Sequence, residues 1–147
     1  MQRIIVAVDL SEASLRAVDL AAELAAKFTA DLVLLHVGRD VSGPDPGIEA
    51  FARLEHIREP GPTLVLEAMR ESLIPARERA GAQGAQKVSI EAVVGDPAQQ
   101  ILAFAAGEKA DMIALGSRGH GRLAGLLLGS VAQKVVAHAT CPVLVVH

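Results

Sequence analysis

The 147-residue sequence has a single cysteine, no tryptophan, no tyrosine and no excess of basic side chains. A lone Cys141 cannot close an intrachain disulfide, and the shortage of thiols fits a reducing compartment. Fourteen Lys and Arg stand against 17 Asp and Glu, a formal net charge of -3. General nucleic-acid binders are basic, so no nucleic acid is expected as a partner. No apolar run reaches the roughly 18 residues of a membrane-spanning helix. The N-terminus runs from Met1 straight into an apolar strand and then meets Asp9 and Glu12. A signal peptide needs a longer apolar stretch and a cleavage site. The expectation is a cytoplasmic protein that contacts no membrane. The length supports one domain, 1–147, with a core that needs no disulfide or metal.

What is present is an alternation of two periods. Ile4 to Val8, Leu32 to Val37, Val88 to Val94, Met112 to Leu115 and Pro142 to Val146 read as strands. Short apolar, β-branched runs suit strands buried on both faces of a parallel sheet. Between the first two, Leu15, Val18, Ala22 and Ala25 repeat at helical spacing over 12–28, with Ser11 as N-cap. Residues 63–80 read as a helix that Pro75 should kink or split. Asp96 and Pro97 open a helix over 97–108, with Ile101, Leu102 and Ala105 facing inward. Another helix covers 130–139. Residues 38–62 carry repeated glycine and proline and read as a long excursion, with a short helix at 48–58. The order β-α-β-α-β-α-β-α-β predicts an open, doubly wound, Rossmann-like α/β sheet with helices on both faces.

The stretch from Gly116 to Gly125 holds four glycines in ten residues, and Gly129-Ser130 then opens a helix. Glycine lets backbone N–H groups approach an anion closely, and a helix start adds unpaired donors and partial positive charge. Together they suit a phosphate, with the Ser130 hydroxyl as a further donor. No Asp or Glu occurs from Met112 to His147, whereas Arg118, Arg122 and Lys134 do. That charge pattern favours an anionic ligand; a flexible loop with merely solvated arginines is the alternative. Asp9 ends the first strand, which should be central. Ligands of open α/β sheets sit outside the carboxyl ends of the strands, where Asp9 and Gly116 would be neighbours. The Asp9 carboxylate could accept bonds from a ribose or an adenine amino group, assist a divalent cation, or simply cap the following helix.

Other phosphate motifs fit poorly. A Walker A loop needs lysine where Ser130 stands after Gly129, and a dinucleotide fingerprint needs glycines after the first strand. No nucleophile, base and orienting group stand together. His36 reads as a structural histidine, His120 as a loop residue that could reach a phosphate, and His138 as a partner of its helix dipole. Cys141 reads as packing, and no His/Cys/Asp cluster has metal-ligand spacing. No catalytic residue is therefore assigned.

The spacing Gly116-x2-Gly119-x9-Gly129-Ser130 resembles the ATP-binding signature of the universal stress protein family. Val6-Ala7-Val8-Asp9, Leu34-Leu35-His36-Val37, Val94-Gly95-Asp96-Pro97 and Cys141-Pro142-Val143-Leu144-Val145-Val146 resemble further segments of it, in order along nearly the whole chain. The resemblance implies a five-stranded parallel sheet in order 3-2-1-4-5, like that of the adenine nucleotide alpha hydrolases, and the ATP-binding branch of the family. Carried over, Asp9 would contact adenine or ribose, and Ala7 and Val37 would line the adenine pocket. Leu115 and Gly116 would lie beside the ribose; Gly119, Gly129, Ser130 and Val131 would hold the phosphates, with Arg118 close by. ATP is the implied ligand, with Mg2+ or Mn2+ as its cation. The implied role is a nucleotide-dependent stress-response regulator with slow or negligible ATPase activity. An AMP or ADP sensor, or a dimeric interaction module independent of nucleotide, are the alternatives. In that strand order 142–146 is an apolar edge, which implies a homodimer through the last strand. Two departures stand out: Leu10 replaces a small residue after the aspartate and could alter the pocket mouth, and the 38–62 excursion with Pro75 is particular to this chain.

Overall fold

A computed structural model describes residues 1–39, 62–120 and 128–147 of the chain. The apolar runs form β1 (Arg3–Ala7), β2 (Asp31–Gly38), β3 (Val88–Val94), β4 (Met112–Gly116) and β5 (Val143–Val146). All pair in parallel in one sheet of order β3-β2-β1-β4-β5, the order that the resemblance implies. Parallel neighbours need long crossovers. Helices α1 (Glu12–Phe28), α2 (Pro62–Ser72), α3 (Ile74–Ala82), α4 (Pro97–Gly107) and α5 (Ser130–His138) lie on them. Among the described residues, no helix is long and apolar enough to cross a membrane.

The two-residue period of the strands sorts their side chains into two cores. Ile4, Val6, Leu32, Leu34 and Ala114 pack against α1 and α3, meeting Ala17, Val18, Ala21, Leu73 and Ala80. Ile5, Val33, Leu35, Ile113 and Leu115 pack against α4 and α5, meeting Ile101, Ala105 and Val135. Both faces of β1 are buried, as its unbroken apolar run requires. A smaller cluster of Val65, Met69 and Ala92 seats α2 on β3.

Helix starts follow their capping residues. The Ser14 N–H donates to Ser11 Oγ at 3.3 Å, and the Gln99 N–H donates to Asp96 Oδ1 at 3.0 Å. The expected 63–80 helix is divided into α2 and α3, with Leu73 between them. Pro75 lies in the first turn of α3, where it has no N–H to give to a carbonyl of α2 and its ring would collide with one. The expected helix at 48–58, nearly all of the 38–62 excursion, and Gly121, Arg122 and Gly125 lie outside the described residues.

Candidate functional site

The same period that builds the second core builds the site. Ile5, Ala7 and Asp9 face one way, as do Val33, Leu35, Val37 and Arg39, and Ile113, Leu115 and Ser117. Beyond the buried members, at the carboxyl ends of β1, β2 and β4, a cavity of about 530 Å³ opens under α4 and α5. Ala7, Leu35, Val37, Leu115 and Ile101 give it an apolar floor. Asp9, Gly116, Arg118, Gly119, His120, Gly129, Ser130 and Val131 line it above that floor. Every position singled out from the sequence as a nucleotide contact therefore faces this one cavity. Sequence reading missed Leu35, Arg39 and Ile101. The signal for the first two was available: they lie two residues either side of Val37 and share its face. Leu10 is 40% exposed and is not among the described lining residues.

The loop after β4 is pinned over the β1–α1 turn. The His120 Nε2–H donates to the Asp9 carbonyl at 2.5 Å, and the Ser11 hydroxyl reaches the Arg118 carbonyl at 3.4 Å. Because a carbonyl only accepts, His120 carries its proton on Nε2. One Asp9 oxygen accepts the Ser11 N–H at 3.0 Å. The other would be 2.6 Å from a Cβ on residue 119. A Cβ there would push the carboxylate aside, so glycine lets the loop backbone and the acid share this corner with the Asp9 side chain left in place. Gly116 has a different reason: a Cβ would come within 2.8 Å of the Ser14 nitrogen, so this glycine lets α1 pack closely on β4.

The loop closes where the Gly129 N–H donates to the Ser117 carbonyl at 2.6 Å. Gly129 is the N-cap of α5, with φ -67 and ψ 163, an extended conformation open to any residue. What its missing side chain changes is access. A Cβ would lie 3.5 Å from Arg118 Cα and 3.8 Å from the Gly119 nitrogen, over the loop amides. A glycine N-cap also offers no side-chain acceptor, and α5 has no side-chain cap bond. Its first N–H groups and the positive end of its dipole thus face the cavity uncapped, an arrangement suited to an anion. Arg39 and Arg118 add formal positive charge on the same lining.

The remaining candidates are structural. The His36 Nδ1–H donates to the Val8 carbonyl at 2.6 Å, tying β2 to the end of β1. Cys141 precedes β5 at the opposite end of the sheet, and burial pushes its thiol pKa up, away from the reactive thiolate. Among the described residues, no group of three His, Cys, Asp or Glu side chains could hold a metal ion.

Comparison with known proteins agrees with this architecture. The model of the universal stress protein family matches residues 1–147. Universal stress protein YxiE of Bacillus subtilis is 36% identical over 146 residues, spanning 99% of this chain and 98% of its own. Universal stress protein MJ0531 of Methanocaldococcus jannaschii is 38% identical over 145 residues, spanning 99% and 81%. Among solved structures, a universal stress protein in complex with cAMP superposes with a TM-score of 0.68 at 31% identity, covering 99% of this chain and 96% of that one. The chain belongs to the universal stress protein family.

Proposed function

We propose that the protein is a nucleotide-dependent regulator that binds ATP in the cavity beside β1 and β4, with slow or negligible hydrolysis. One observation carries this reading: the uncapped start of α5 and the glycine-lined amides of the 117–119 segment meet at one end of a cavity whose floor is apolar. An apolar floor suits a flat base, and the amide-rich end suits phosphates. Adenine then rests on Ala7, Leu35 and Val37, the ribose lies by Leu115 and Gly116, and Gly119, Gly129, Ser130 and Val131 hold the phosphates. Asp9 is the one carboxylate on the described lining. Mg2+ or Mn2+ would thus take most of its ligands from phosphate and water. A relative solved with cAMP supports an adenine nucleotide and favours, as a second reading, a ligand with a single phosphate.

Hydrolysis needs a positioned base and an aligned water besides a phosphate cradle. Asp9 is the candidate, but one of its oxygens is committed to the Ser11 N–H. Calorimetry with ATP, ADP and AMP tests the binding reading. The wild type is expected to bind, and Gly129→Val to bind about tenfold or more weakly through lost charge-assisted hydrogen bonds. Unchanged affinity in Gly129→Val removes the loop from the site, and no heat at millimolar nucleotide removes the ligand. Fast single-turnover hydrolysis that disappears in Asp9→Ala would overturn the regulatory reading.

The same reading includes a homodimer through β5. Val143, Leu144, Val145 and Val146 are apolar, half-buried and at the sheet edge. A two-fold pairing of this strand with a second copy would cover them.

A further inference from the structure

The cavity has a side arm. Between the β3–α4 turn and the first turn of α5 lies a groove of about 480 Å³ that shares Arg39, Pro97, Ser130 and Val131 with it. The groove alone adds Lys134, which follows Ser130 by one helical turn and so lies on the same face of α5. Two cations, Arg39 from the end of β2 and Lys134 from α5, thus flank one opening. Neither is paired with a carboxylate among the described residues. Asp96 is the one acid on the described lining, and its Oδ1 is committed to the Gln99 N–H as the cap of α4.

We propose that this groove receives a second anionic group, a phosphoryl group carried on the ribose of the bound nucleotide. The inference rests on the nucleotide reading above. With the base against Val37 and the phosphate chain at Gly129 and Ser130, the ribose spans the interval between them. The groove meets the cavity at Arg39, two residues beyond Val37 at the base end, and at Ser130 and Val131 at the phosphate end. A phosphoryl group on the 2′- or 3′-oxygen enters it and meets the Arg39 guanidinium, a planar fork of donors, and the Lys134 ammonium, a point charge. The ligand class it selects is an adenosine phosphorylated both at the 5′ position and on a ribose hydroxyl.

Calorimetry separates the proposal from the reading beneath it. AMP, adenosine 2′,5′-bisphosphate and adenosine 3′,5′-bisphosphate are titrated into the wild type and Lys134→Gln. Lys134 is exposed and lines the groove but not the main cavity, so the variant keeps its fold and its AMP affinity. One bisphosphate is expected to bind the wild type about tenfold more tightly than AMP, a gain that Lys134→Gln loses. The two isomers tell which hydroxyl faces the groove. Bisphosphates that bind the wild type no better than AMP overturn the groove and leave the nucleotide reading intact. A gain retained in Lys134→Gln overturns it as well, by placing the second phosphate elsewhere. No heat from any of the three, nor from ATP, overturns the nucleotide reading and the groove with it.

Discussion

Thr29 and Lys109 hold φ at 53 and 51, the left-handed region where an L side chain crowds the backbone. Each follows a helix, the position where glycine is the usual occupant. After α4, the Lys109 N–H donates to Ala106 and the Ala110 N–H to Ala105, at 3.2 and 2.9 Å, so the turn is fully bonded despite the strain. Thr29 is β-branched and exposed, and its N–H returns to Ala25. Thr29→Gly should therefore stabilise the fold by about 1 kcal/mol, by relieving the left-handed conformation. The check is a higher denaturation midpoint at unchanged slope; no gain would show that the surrounding turn already absorbs the strain. At this scale the caps were legible: Ser11 and Asp96 are short polar residues directly before apolar periodicity. The left-handed positions at Thr29 and Lys109, like a third at Leu10 with φ 65, were not, because threonine, lysine and leucine do not announce a positive φ.

Among the elements, β4 and β1 are tied at their starts by one acid. Asp111 Oδ2 accepts the N–H groups of Gln2 at 2.6 Å and Arg3 at 2.9 Å. These bonds, the one from Gln2 first, hold its pKa below the usual carboxylate value. A carboxyl whose folded pKa is depressed contributes stability above its unfolded pKa and loses it as pH falls through the folded one. Melting temperatures measured from neutral pH down through the acid range should fall more steeply for wild type than for Asp111→Asn. Parallel curves would mean that the carboxylate charge does not contribute. Strand and helix identities were readable because period and length change together at each boundary. The division of 63–80 was readable from Pro75, but its location was not: the ring acts on residues before it, and the break settles at Leu73. The glycines of the site were readable as a cluster, while their separate reasons were not. Gly116 is set by a helix packed on its strand and Gly119 by a carboxylate, and both contacts join residues more than a hundred positions apart.

For the whole molecule, the strand order decides where another copy could attach. If β5 pairs two copies as proposed, light scattering should give a dimer for the wild type and a monomer for Val145→Lys, which puts a charge on this half-buried edge strand. A variant that stays dimeric would point to a different face. The sheet order was legible only through resemblance; alternation alone left several doubly wound orders open. The cavity, in contrast, follows from order and period together, since a central β1 brings Asp9 next to the end of β4. α2 is held more lightly than the elements around the cavity. Val65, Met69 and Ala92 form a cluster apart from the two large cores. Among the described residues, few apolar contacts must be given up for α2 to lift away, while β1, β4 and α5 keep theirs. In native-state amide exchange the backbone protons of 62–72 should trade with solvent deuterium well before those of the central strands, so this corner can breathe without unsettling the pocket.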